Sequence, residues 1–148
     1  MDVDFKDLPS VAGKETGTSD WLLIDQDRVN AFAEATGDHQ WIHVDVARAT
    51  AALGGTIAHG YLTLSLLPFL SAGLLNINGV THGINYGSDK VRFTNMVKVG
   101  KRVRLKQKLL SVEPKAGGYQ LRNEQTIEIE GEDRPACVAE TLTLIYGA

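Results

Sequence analysis

The chain has 148 residues, 43% of them hydrophobic and 22% charged, enough to bury one sizeable core within a single domain spanning residues 1–148. A net charge of −3 and a pI near 5.8 exclude the strongly basic surface that nucleic-acid binding requires. The lone Cys137 cannot form an internal disulfide, and the start Met1-Asp-Val-Asp-Phe-Lys6 has no signal-peptide character, so a reducing cytoplasm is expected.

The first twenty residues mix Pro9, Gly13 and Gly17 with charges and show no periodicity, which predicts an extended lead-in. Trp21 to Ile24 has strand character. Asp25 is placed to cap a helix running through Thr36, with Val29, Phe32 and Ala33 on one face and Gly37 as terminator. A loop then carries Asp38, His39, Gln40, Trp41 and His43, before Asp45 caps a second helix, Val46 to Leu53, stopped by Gly54-Gly55. An acid just past a helix end and a histidine five residues later can share one substrate proton or one water.

Thr56 to Gly60 leads into Tyr61–Leu75, whose leucines fall on all sides of a helical wheel, predicting a helix buried all round. The apolar segment from Gly60 to Leu75 is too short for a membrane span, which takes ~20 residues, so no membrane partner is expected. Pro68 lacks a backbone donor and should bend this helix or weaken it.

After Asn76 the spacing changes to alternation. Arg102, Arg104, Lys106 and Lys108 alternate with Val103, Leu105 and Leu109; Lys115-Ala-Gly-Gly118 turns the chain. Tyr119, Leu121, Asn123, Gln125, Ile127 and Ile129 then alternate with polar residues, and Ala136 to Tyr146 forms the last strand. Strands joined by hairpins are antiparallel and need an apolar partner on one face, for which the Gly60 helix is the candidate. The expected fold class is α+β, a curved antiparallel sheet wrapped around a central helix.

Three segments, Phe32-Ala-Glu-Ala-Thr-Gly-Asp38-His-Gln-Trp-Ile-His43, Gly55-Thr-Ile-Ala-His-Gly60 and Asn85-Tyr-Gly-Ser-Asp-Lys-Val-Arg-Phe93, resemble the MaoC-like (R)-specific enoyl-CoA hydratases, and within them the nodulation-protein-N type. The resemblance covers nearly the whole chain and implies a hot-dog fold. It implies an Asp-x4-His catalytic dyad at Asp38 and His43 and an oxyanion donor at the backbone N–H of Gly60. Ile57, Ala58, His59, Asn85, Tyr86 and Gly87 are implied near the substrate, although the Asn85-Tyr-Gly87 run equally suits a bend at a strand start, and His59 is expected to buttress the turn before the central helix rather than act as acid or base. The usual motif has Asn-Pro where this chain has Gln40-Trp41, so Trp41 is expected to reshape the pocket mouth or the oligomer contact.

The implied reaction is reversible addition of water to a trans-2-enoyl-CoA, giving an (R)-3-hydroxyacyl-CoA. It needs no cofactor, since coenzyme A is part of the substrate. Two other readings compete. A hot-dog thioesterase would place an acid on the central helix, and Gly60 to Leu75 contains none. A non-catalytic acyl-CoA-binding or partner subunit would be expected to lose the dyad, which is intact.

His39 and His43 form a His-x3-His pair that would suit zinc on a helix, but the loop reading and the lack of a third soft ligand argue against a metal site. His82 reads as surface. The basic run from Lys98 to Lys108 suits either coenzyme A phosphates or a solvated strand face that discourages aggregation. Exposed sheet edges make a homodimer or higher homo-oligomer the expected assembly.

Overall fold

The computed structural model describes residues 1–148. The lead-in is more structured than its composition predicts: strand β1 (Asp2–Asp4), a 3-10 helix (Phe5–Val11) and strand β2 (Glu15–Thr18) replace an extended tail. Leu8 and Val11 of that short helix are buried against Leu109, Leu121 and Ile145, and tertiary burial of two side chains organises a segment with no periodicity of its own.

Strand β3 (Leu22–Leu23) leads into helix α1 (Gln26–Thr36), where the Asp25 carboxylate accepts from Arg28 N–H at 2.9 Å, and Gly37 ends the helix at φ 83°. That left-handed conformation favours glycine, and it turns the chain sharply enough to bring Asp38 back beside the helix end. Residues expected as loop contain a one-turn helix, α2 (Trp41–Val44). Four residues are too few to show periodicity, and the turn is held by tertiary contacts instead. Helix α3 (Val46–Leu53) follows, with Asp45 accepting from Arg48 N–H at 3.1 Å.

The central helix is broken into α4 (Gly60–Ser65) and α5 (Leu67–Ser71). Pro68 has no N–H to give the Leu64 carbonyl, so regularity fails at Leu66. The helix ends four residues before the expected Leu75, because Ala72 turns extended and Gly73 adopts φ 82°. Nor is it buried all round. Leu62, Leu66, Leu67 and Leu70 pack on the sheet, while Tyr61 and Phe69 stand 71% and 63% exposed on the face the sheet does not reach.

Strand β4 (Asn76–Asn78) pairs in parallel with β1, and β5 (Val80–Arg92), β6 (Arg102–Lys115), β7 (Gly118–Ile129) and β8 (Cys137–Gly147) form the main antiparallel sheet. Its order is β2-β6-β7-β8-β5, with β3 also paired to β6. Ala116 and Gly117, both at positive φ, close the β6–β7 hairpin. Gly118 is fixed by close approach, since a Cβ there would lie 2.2 Å from the Ile145 carbonyl oxygen.

The sheet curves around α4 and α5, the hot-dog arrangement, and Val103, Leu105, Ile127, Ile129 and Ala139 share one core cluster with the helix leucines. The Leu8 cluster forms a second core at the other end of the strands. Between them the inward face turns polar. Gln125 Nε2 donates to Gln107 Oε1 at 2.7 Å, Gln107 Nε2 to Thr16 Oγ1 at 2.9 Å, and Thr141 Oγ1 to Gln125 Oε1 at 2.6 Å.

On the outward face, the basic run is matched by acids of β7. Arg102 binds Glu130 through two bonds of 2.5 and 2.7 Å, and Arg104 reaches Glu128 at 2.8 Å. Of the two readings of this run, the geometry supports the solvated, charge-paired strand face. His82 is exposed, as expected, and stacks on Tyr146.

Candidate active site

Helix α1 delivers Asp38, α2 delivers His43, and the strand-like segment before α4 delivers His59 and Gly60. Their convergence is a product of backbone docking. Ile57 N–H donates to the Ile42 carbonyl at 3.0 Å and Ala58 N–H to Val97 O at 2.8 Å, which seats α2 against the turn into α4. One carboxylate oxygen of Asp38 and one ring nitrogen each of His43 and His59 then lie within 4.8 Å of one another.

The hydrogen bonds of the two histidines select opposite tautomers of the neutral rings. His43 Nδ1 lies 2.6 Å from the Ile57 carbonyl oxygen, which can only accept, so Nδ1 carries the proton and the neutral ring keeps its lone pair on Nε2. His59 Nε2 lies 3.0 Å from the Asp38 carbonyl oxygen and is the donor there. His59 Nδ1 is buried without a partner. The rings stack with centroids 3.8 Å apart and planes 22° from parallel, and the tilted Phe32 ring also packs against His59, centroids 4.8 Å apart. Both imidazoles are buried, whereas Asp38 is exposed. Its Oδ1 accepts from Gln40 N–H at 3.3 Å, an Asx turn that aims the carboxylate.

Gln26 is a residue that sequence reasoning misses. Its Nε2 donates to the His43 carbonyl at 2.8 Å, while its Oε1 accepts from the Thr56 hydroxyl at 2.5 Å. One side chain of α1 thereby ties α2 to the segment carrying His59. A polar residue in the first turn of a helix carries no spacing signal that would reveal this bridge.

A cavity of about 390 Å³ opens beside His43, lined also by Ile57, Ala58, Gly60 and Thr63 and closed by the β5–β6 connection and Arg134. The Phe93 ring lies over Gly60, and a Cβ at that position would come within 3.0 Å of it. Glycine there lets ring and backbone approach. Of the other residues expected near substrate, Asn85 lines a separate cavity between α5 and the sheet. Tyr86 is 51% exposed and receives a hydrogen bond from Lys115, and Gly87 sits beside it on β5, so neither borders the His43 cavity. Trp41 is also absent from that cavity's wall and stacks under the Arg48 guanidinium at 4.1 Å. His39 is exposed and does not join His43; the third group of the cluster is His59. Helices α4 and α5 carry no carboxylate.

Residues 7–129 match the MaoC-like domain model. The 3-hydroxyacyl-thioester dehydratase Z of Mycobacterium tuberculosis strain H37Rv is 51% identical over 138 residues, covering 92% of this chain and 91% of that protein. The chain belongs to the MaoC-like dehydratase family. Another relative, nodulation protein N of Rhizobium leguminosarum bv. viciae, is 44% identical over 97% of this chain and 92% of its own length. Among solved structures, the unliganded R-hydratase PhaJ1 of Pseudomonas aeruginosa superposes with a TM-score of 0.75 at 23% identity, covering 93% of this chain and 83% of that one. The likeness supports the MaoC-like hot-dog fold observed here. No helix in the chain is long and apolar enough to cross a membrane.

Proposed function

We propose that this MaoC-like protein is an (R)-specific enoyl-CoA hydratase, a hydro-lyase that reversibly adds water to trans-2-enoyl-CoA to give (R)-3-hydroxyacyl-CoA. The observation that carries the reading is the meeting of Asp38 with a His43 whose Nε2 lone pair is free, beside a cavity bounded by Gly60.

Hydration needs a base for water attacking C3, an acid to protonate C2, and a donor for the thioester oxygen. In this assignment a water sits between the Asp38 carboxylate and His43 Nε2. The pair takes one proton from it as its oxygen bonds to C3, and returns one proton to C2. The Gly60 N–H, at the first position of α4, has no intrahelical acceptor and is assigned to the thioester oxygen. Ile57 and Ala58 supply cavity wall, and Arg134 is the one arginine or lysine on it, suited to a coenzyme A phosphate.

His59 is assigned as a positioning residue that fixes the His43 plane and the Asp38 backbone. The assembly proposed is a homodimer formed through β5, the terminal strand of the sheet, which brings Tyr86 and Gly87 to the interface. The proposed setting is cytoplasmic, in keeping with a single buried thiol.

The test replaces Asp38→Asn and His43→Gln and follows loss of enoyl absorbance with crotonyl-CoA. Each change should lower kcat by about 10²–10⁴, the usual contribution of a positioned acid or base. Full activity in both variants would refute the assignment.

A further inference from the structure

A cavity of about 620 Å³ lies between α5 and the inner face of the sheet, with Leu67, Pro68 and Ser71 on one wall and strands β5 to β8 on the other. The sheet side of this cavity is the polar belt that interrupts the core. Gln107 stands opposite Gln125 in the strand register, Asn123 opposite Thr141, and Leu121 opposite Thr143, so the amides and hydroxyls form one continuous band. All of these positions fall in the inward phase of their strands, where apolar residues would be expected.

The belt is satisfied at one end and not at the other. Thr16, Gln107, Gln125 and Thr141 bond to one another in a chain. Asn123, only 9% exposed and lining the cavity, has a buried side-chain oxygen with no hydrogen-bond partner. A buried amide oxygen without a partner carries the desolvation penalty that native structures usually avoid, and this one borders an open space large enough for a ligand group.

We propose that this cavity receives the distal part of the acyl chain and selects chains bearing a hydroxyl group, which bonds to the Asn123 side-chain amide. The proposal rests on the acyl-thioester reading above and names its substrate class. A plain alkyl chain would cover Asn123 and displace solvent from the glutamine and threonine band without giving any hydrogen bond in return. A hydroxyl both donates and accepts, so it satisfies the amide in either orientation. Sites built to hydrogen-bond a ligand hydroxyl discriminate strongly against the analogue lacking it, because the site's own polar group is left unpaired.

The test measures binding, so that it stands apart from turnover. Octanoyl-CoA and four octanoyl-CoAs, each carrying one hydroxyl at carbon 5, 6, 7 or 8, are titrated into the full chain by calorimetry, with crotonyl-CoA hydration assayed separately. At least one hydroxylated ligand should bind about tenfold tighter than octanoyl-CoA, the scale of one net hydrogen bond plus a relieved buried amide. The variant Asn123→Leu should erase that preference, so that all five ligands bind it within about twofold of one another. Equal binding of all five ligands by the parent protein, or preference for octanoyl-CoA, overturns the proposal whether or not the variant folds. Loss of crotonyl-CoA hydration in the parent would instead count against the hydratase reading and leave the binding comparison intact.

Discussion

The imidazole of His43 lies on that of His59, centroids 3.8 Å apart, and each ring gives its proton to a different backbone carbonyl, Ile57 for one and Asp38 for the other. The stack links the three groups of the candidate site through a residue placed to act indirectly. His59 touches the His43 ring by its face and the Asp38 backbone carbonyl by its Nε2, and it does not line the His43 cavity.

The two contacts of His59 can be separated. His59→Phe keeps a ring against His43 and loses the donor to Asp38 O; His59→Gln keeps a donor and loses the stack. Each should lower kcat by about 10–100-fold with KM changed less than about threefold, since misplacement by a fraction of an ångström is costly in a positioned site. A residue that served only to hold the fold would move the urea midpoint and leave kcat per folded molecule unchanged. Steady-state kinetics on samples of measured folded fraction therefore separates the roles.

Much of this arrangement is legible in the sequence, and the exceptions share a cause. Asp25, Gly37 and Asp45 announce the ends of α1 and α3 because capping is local chemistry, readable within four residues. The alternation of β6 and β7 gives the sheet. What local pattern does not carry is contact across the chain: α2 is four residues long and exists because Ile57 and Gln26 hold it, and Gln26 meets Thr56 thirty residues away. The polar belt did leave a trace, since Gln107, Asn123 and Gln125 interrupt the inward apolar phase of their strands. Tyr61 and Phe69 mislead in the opposite sense. An apolar wheel predicts full burial, yet the sheet covers only one side of α4 and α5.

Gln26 tests the bridge between helix and site. Gln26→Leu leaves the Thr56 hydroxyl, on a residue 4% exposed, without its acceptor and the His43 carbonyl without its donor. The expected loss is about 1–3 kcal/mol of stability. Gln26→Glu keeps the acceptor for Thr56 but sets a carboxylate against the His43 carbonyl, and should be no better at neutral pH. Equilibrium urea unfolding of both variants gives the numbers; a change below about 0.5 kcal/mol in each would show the bridge to be dispensable.

Cys137 supplies a pH dependence whose sign is fixed. Burial pushes its thiol from an ordinary value of 9.0 up to about 11, and the side chain is 1% exposed. The folded state therefore holds its proton over a range in which the unfolded state has lost it. The contribution to stability is fully present below about pH 9 and is lost as pH rises through about 11. Urea midpoints at intervals across this range should fall more steeply for the parent than for Cys137→Ala. At pH 8 the native thiol should react with a disulfide reagent at least about 100-fold more slowly than the unfolded chain, the thiolate fraction alone accounting for that factor. Equal labelling of native and unfolded protein would show that the β8 thiol is open to solvent.

Strand β5 ends the sheet with thirteen residues, ten of them exposed, including Ile84 at 48% and Tyr86 at 51%. A long terminal strand without blocking prolines invites a second strand along its free edge, and isologous pairing of β5 with its copy satisfies both edges at once. Sedimentation equilibrium should therefore give twice the 16.1 kDa chain mass. The double change Ile84→Lys with Tyr86→Lys places like charges against each other across the two-fold axis, which should raise the dissociation constant at least about 100-fold and lower it again at high salt. A parent protein that sediments at the mass of one chain at micromolar concentration would remove β5 as the interface. A dimer indifferent to the lysines would place the contact on another face, with the exposed Tyr61 and Phe69 of the central helix as the next to be altered.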